Sequence, residues 1–248
     1  MTPVFKFSGR IAEGDQRHSI REEAPDGALI APNYVETAWG SVPQYAATVR
    51  DTNTGYDPAG DCQGSFMSAK YQPNNNCYAY GCNIASNSFP QPGRASGAPA
   101  LSENFTAEHV RDNAVSDGLV YVGTTLADIE KHAATAGAGG HYAALMFSPP
   151  ENAIGGDSEA NWPGDYHWAR CDSLSPMSWS QKDGGDQVTN FDFAGNPITD
   201  PASANWRVNQ GPIGTGGTGG TGSDFNEYVV TYGFYCYMYV PDGTADII

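Results

Sequence analysis

The sequence predicts an α+β fold, with short helices packed on an antiparallel sheet and an extended N-terminal arm in front of them. Three observations carry this. Thirty Gly, seventeen Pro and fourteen Tyr among 248 residues describe a loop-rich, strand-leaning chain, because Gly and Pro punctuate turns and Tyr suits half-buried pleated positions. Helical periodicity is confined to short stretches before residue 137, and strand-like runs follow Gly139-Gly140. With 40% apolar residues the chain can bury a real core, as one large domain or one domain with a substantial extension.

In chain order, residues 1–60 show neither helical periodicity nor clean alternation apart from Val4-Phe5-Lys6-Phe7 and Ala28-Leu29-Ile30, and are expected to be an arm. Residues 61–248 are expected to form the domain. Asn74-Asn75-Asn76 reads as a turn and N-cap cluster, opening a short helix at Cys77. Two further helices are predicted: 106–115, with Ala107, Val110 and Ala114 on one face, and 125–136, with Leu126, Ile129 and Ala133 on one face and Gly137 to stop it. Strands are predicted over 141–147, 166–171, 178–182 and 228–240. The Gly/Thr-rich run 214–223 reads as an insertion joining two strands of that sheet, and no Lys-Ser/Thr follows it to make a phosphate loop.

The formal charge of −16, with twelve Lys and Arg, leaves no basic stripe for phosphates, so neither nucleic acid nor an anionic membrane is an expected partner. The first ten residues lack the apolar core of a secretory signal. The expectation is a protein made in a cytoplasm and then virion-associated or released by lysis. Five Cys form no C-x-x-C pair, and Cys77 and Cys82 would diverge on a helix, so no zinc site, other metal or cofactor is expected. The acids around Asp183-Gly184-Gly185-Asp186 and from Asp192 to Asp200 do not reproduce a calcium-loop pattern. Glu151, Asp157 and Glu159 sit on a Gly-rich stretch that cannot fix the separation a glycosidase needs. The aromatic run 232–239 reads as a core or interface strand.

The chemistry-bearing pattern is a Cys at a helix start and, about ninety residues later, a His on a strand. A thiol attacks as thiolate, and a helix N-terminus with a neighbouring imidazole is the usual means of generating one. Cys77 is placed for both, and His167 supplies the imidazole. The bland alternative is a buried small hydrophobe at Cys77 and a packed strand histidine at His167.

The motifs Asn76-Cys77-Tyr78-Ala79-Tyr80, Gln91-Pro92-Gly93-Arg94-Ala95-Ser96-Gly97, Asp117-Gly118-Leu119, Asp165-Tyr166-His167-Trp168-Ala169-Arg170, Trp179-Ser180-Gln181-Lys182 and Val188-Thr189-Asn190 resemble a group of bacterial and phage proteins. Those proteins look like distant relatives of the papain-like cysteine hydrolases, including the NlpC/P60 branch. The resemblance implies a papain-like fold over roughly residues 60–240, with Cys77 as nucleophile, His167 as base and Gln181 orienting the imidazole. The related proteins carry His where this chain has Gln181, and an amide stabilises imidazolium less than a carboxylate does. In a second mapping His141 is the base and His167 the orienting residue. The Cys77 backbone N–H with the amide of Gln72 or Asn76 would form the oxyanion site.

Two functions follow as expectations. One is a thiol-dependent peptidase or amidase acting through an acyl-enzyme, with a peptide, such as a cell-wall peptide, as substrate. The alternative is a non-catalytic virion or assembly component that keeps a papain-like shell and docks onto assembly partners through its N-terminal arm.

Overall fold

The computed structural model describes residues 5–11, 32–58, 66–68, 71–102, 104–137, 139–150, 162–213 and 226–248. Cys62, the 28–30 apolar piece, the acids at 151, 157 and 159 and the Gly/Thr run 214–223 lie outside them.

A six-stranded antiparallel sheet forms the centre. Its strands are β5 (Val120–Gly123), β6 (Gly140–Ser148), β7 (Asp165–Leu174), β8 (Met177–Lys182), β9 (Val188–Thr189) and β12 (Gly233–Pro241), in the order β5-β12-β6-β7-β8-β9. Three two-stranded sheets surround it: β1 (Asn33–Thr37) with β2 (Gly40–Gln44), β3 (Val49–Arg50) with β4 (Ile84–Ala85), and β10 (Arg207–Ile213) with β11 (Asn226–Thr231). The α-helices are short: α1 (Cys77–Gly81), α2 (Ala107–Ser116) and α3 (Leu126–Ala133).

Twelve strands against three short helices among the described residues make this a sheet-rich fold, which corrects the expected α+β, papain-like class. The physical reason lies in two regions that carry no long alternation. Residues 33–50 pair as hairpin and edge strands where an arm was expected, and the predicted strand 228–240 breaks at Tyr232 into β11 and β12, which belong to different sheets. The Gly/Thr run therefore joins the two strands of a peripheral ribbon rather than strands of the central sheet.

The helices form where the caps are. Thr106 and Thr125 each close a capping box, with His109 and Asp128 reaching back to the cap nitrogen. Asn76 caps α1 by accepting from Ala79 N at 3.0 Å. The apolar face of α2, through Val110 and Ala114, and α1, through Tyr78 and Tyr80, pack on the side of β7 that carries Tyr166 and Trp168. Gly81 lets α1 lie close to the sheet, because a side chain there would meet Trp168 Cβ at 3.1 Å. The opposite face of the sheet, with Ala169, Cys171, Trp179 and Tyr237, is covered by α3, by Trp206 and Tyr232 and by Phe5 and Phe7. The stretch 5–11 is thus part of the core, with Phe5, Phe7 and Ser8 buried.

Both faces of β7 are covered, so its first seven residues are buried without the polar alternation of a half-exposed strand. The aromatic strand β12 is likewise a core strand. Cys236, Met238 and Val240 join the helix-side core, and Tyr237 joins the other, with a bulge between Phe234 and Cys236.

Candidate functional site

Cys77 is the first residue of α1, as the Asn cluster predicts, and it is fully buried. The pairing of β7 with β8 ends at Ala169 and Gln181, so the backbone of residues 166–168 is not covered by β8. The thiol fills part of this gap: Cys77 Sγ donates toward Tyr166 O at 3.7 Å, and the Trp168 N–H points at the sulfur. Burial, reinforced by the charge of Asp165, pushes the thiol well above its ordinary value. An α1 of five residues does little to oppose that.

His167 projects from the other face of β7, fully buried among the rings of Trp206 at 5.2 Å, Phe193 at 5.4 Å and Tyr232 at 5.9 Å between centroids. The imidazole is pushed down to about 4 by burial and is neutral near pH 7. Sulfur and ring therefore stand on opposite sides of one strand, and Ser8 sits between them. Ser8 Oγ hydrogen-bonds His167 Nδ1, and the same side chain contacts the Cys77 thiol. Ser8 O accepts from Cys77 N at 3.4 Å. The backbone N–H expected to serve an oxyanion is thus held by the chain itself.

Gln181 lies beside His167, on the same face of the sheet, close enough to favour the charged ring. Its Nε2 donates to Phe191 O at 3.1 Å, and among the described residues Gln181 Oε1 and His167 Nε2 are buried without a hydrogen bond of normal geometry. Of the second mapping, His141 is on the helix side, with Nε2 2.8 Å from Gly81 O at the far end of α1. Burial pushes it down to about 4. It caps a helix carbonyl and does not meet the sulfur.

The oxyanion candidates part company. Asn76 spends its oxygen on the α1 cap and its Nδ2 on Gly9 O at 2.8 Å and Pro90 O at 2.7 Å. Gln72 precedes α1 in a 3-10 turn, and its amide donates to Gly185 O at 3.3 Å. Gln72 and Gln181 do meet at the rim of an open depression of about 620 Å³, which Asp183, Asp186, Phe191 and Phe193 also line. The acids there are not free ligands: Lys6 Nζ pairs with Asp183 at 2.9 Å and with Asp186. The Asp192 carboxylate is held by the backbone N–H groups of Ala194, Asn196 and Asn205.

Sequence reasoning missed what organises this centre. Asp165, fully buried, accepts from Ser8 N at 2.6 Å, Gly9 N at 3.2 Å, Arg10 N at 2.8 Å and Tyr232 OH at 2.9 Å. Three successive N–H groups wrapped on one carboxylate make a backbone nest. Burial still lifts Asp165 to about 6 against the four donors. Lys182, also buried, donates to Gln72 O, Asn75 O and Gly184 O and so fixes the turn into α1. Asp165 and Lys182 were visible beside the His and Gln motifs, but a charged residue next to a motif does not announce a partner at residue 8 or 72. The Ser8-Gly9 dipeptide carries no local signal of its role.

No known family profile matches the chain, and no solved structure matches it either. Insoluble matrix shell protein 1 of Ruditapes philippinarum is 36% identical over 135 residues, which is 54% of this chain and 72% of that protein. At that identity and coverage, the chain belongs to the family of insoluble matrix shell protein 1.

Proposed function

We propose that this protein is a non-catalytic structural component of an insoluble assembly, and that its Cys77–Ser8–His167 constellation is a structural tie. The observation that carries this reading is Ser8. It occupies the space between thiol and imidazole, takes the Cys77 N–H and bonds the ring, with all three residues fully buried. A nucleophile needs a thiolate and room for substrate. Here the thiol is raised by burial and the room is filled. The name of the relative, an insoluble matrix shell protein, supports the same class of role.

The test is hydrolysis of short cell-wall peptides by the purified chain and by Cys77→Ala. The expected result is no turnover by either. Cleavage by the parent chain that Cys77→Ala abolishes while its circular dichroism stays unchanged would overturn the reading in favour of a thiol peptidase.

A further inference from the structure

The stretch from Phe5 to Arg10 is bound by the rest of the molecule as a peptide is bound by a receptor. Its backbone is read at both ends of two peptide units: Asp165 takes the N–H groups of residues 8, 9 and 10, Ser8 O accepts from Cys77 N at 3.4 Å, and Gly9 O accepts from Asn76 Nδ2 at 2.8 Å, Gln91 Nε2 at 2.8 Å and Tyr166 OH at 3.0 Å. Its side chains have sockets as well. Phe7 stacks on Trp162 with ring centroids 5.2 Å apart, Phe5 meets the same indole edge-on at 5.0 Å, and Arg10 donates to Pro163 O at 2.6 Å and lies over Phe105. Position 9 admits only glycine, because a Cβ there would fall 2.0 Å from the Tyr166 ring. The ligand class is thus a peptide of the pattern aromatic-x-aromatic-Ser-Gly-Arg that bends at its Ser-Gly-Arg end.

We propose that this groove is an exchangeable receptor and that copies of the chain link by seating Phe5–Arg10 of one copy in the groove of the next. Every contact named above joins the segment to residues more than sixty positions away in sequence, so all of them can be made unchanged by the same segment of a second copy. The balance between closed and linked forms is then set by the connection and by concentration. The connection is residues 12–31, twenty residues that can span at most roughly 70 Å. A chain of this length has a radius of gyration of roughly 18 Å, so the reach exceeds the distance to a touching neighbour. High local concentration in an insoluble assembly favours the linked form. The proposal rests on the structural reading above and names its partner, a second copy.

Two full-length variants test it. Gly9→Val spoils the segment and leaves the groove intact; Asp165→Asn spoils the groove and leaves the segment intact, lowering its hold on the peptide by roughly tenfold or more. Mixed at equal concentration, they are expected to form a one-to-one heterodimer by analytical ultracentrifugation, while each alone stays monomeric. A mixture that remains monomeric, with both variants folded by circular dichroism, would overturn the proposal. Should either variant fail to fold, a labelled synthetic peptide of residues 1–11 incubated with the parent chain supplies the answer. Saturable incorporation that a Gly9→Val peptide cannot match supports exchange, and no incorporation at high peptide excess contradicts it. Failure here leaves the non-catalytic reading standing, because the hydrolysis test addresses that separately.

Discussion

The two faces of the central sheet are closed in different ways. On one face α1 and α2 lay Tyr78, Val110 and Ala114 against Trp168, Leu145 and Met238, a largely apolar core with Arg170, His141 and Asp117 buried at its margins on hydrogen bonds to Asn83, Gly81 O and Tyr78. On the other, a segment from the very start of the described chain brings Phe5 and Phe7 together with a polar centre of Ser8, Asp165, His167 and Tyr232. The first closure rests on area removed from water, which tolerates small shifts. The second rests on directional hydrogen bonds to a buried carboxylate and imidazole, each of which is costly when a partner is lost. The helix face is therefore expected to hold the fold together, and the arm face to be the conditional one.

Trp168→Ala should be the most damaging change, costing about 3–5 kcal/mol, because it empties the centre of the helix face. Urea unfolding should show the whole transition moving to lower denaturant. Asp165→Asn should cost about 2–3 kcal/mol, since the amide cannot accept what the carboxylate accepts from four donors. Its signature differs: protease should cut near residues 5–11 well before the sheet unfolds. If Asp165→Asn instead lowers global stability with no early cleavage of that segment, the two faces are one cooperative unit and the distinction fails.

Acid should also separate them. His141 and His167 are held at about 4 in the folded chain against 6.5 when unfolded, so they stay neutral while the unfolded chain takes protons. Their contribution is complete above pH 6.5 and is lost as pH falls toward 4, at about 1.4 kcal/mol per pH unit per proton. Asp165 opposes this, because its folded value of about 6 lies above 3.8 and the folded chain gains a proton in the same window. With two protons lost and one regained, stability should fall on acidification, and Asp165→Asn should roughly double the slope between pH 6 and 4. An unchanged slope in chemical denaturation across that range would remove the linkage. The smallest effect belongs to Gln72→Ala, which trims one partly exposed hydrogen bond to Gly185 O and should change stability by less than about 0.5 kcal/mol.

The helix face was legible in the sequence. Asn76 before Cys77, Thr106 before Ala107 and Thr125 before Leu126 are local caps, and local signals survive folding. The strands over 141–147, 166–171 and 178–182 were legible as local apolar runs, whereas the run 228–240 gave no sign of its break at Tyr232. The fold class was not, because β1 to β4 and β10 are short or flanked by Gly and Pro and have no pattern until a partner strand supplies one. The candidate site was half legible. Cys77, His167 and Gln181 do converge on one region, but spacing along a chain cannot say which face of β7 each side chain takes. That decision came from Ser8 and Asp165, partners separated by 157 residues.

The central claim is that Ser8 and its segment seal Cys77 in the native chain. Time-resolved iodoacetamide labelling at neutral pH, with peptide mapping of Cys77, tests it most directly. The account predicts labelling of Cys77 no faster than opening of the fold permits, unchanged by His167→Gln except through stability, and accelerated by Gly9→Val. Rapid labelling of Cys77 in the folded parent chain, slowed when His167 is removed, would contradict it.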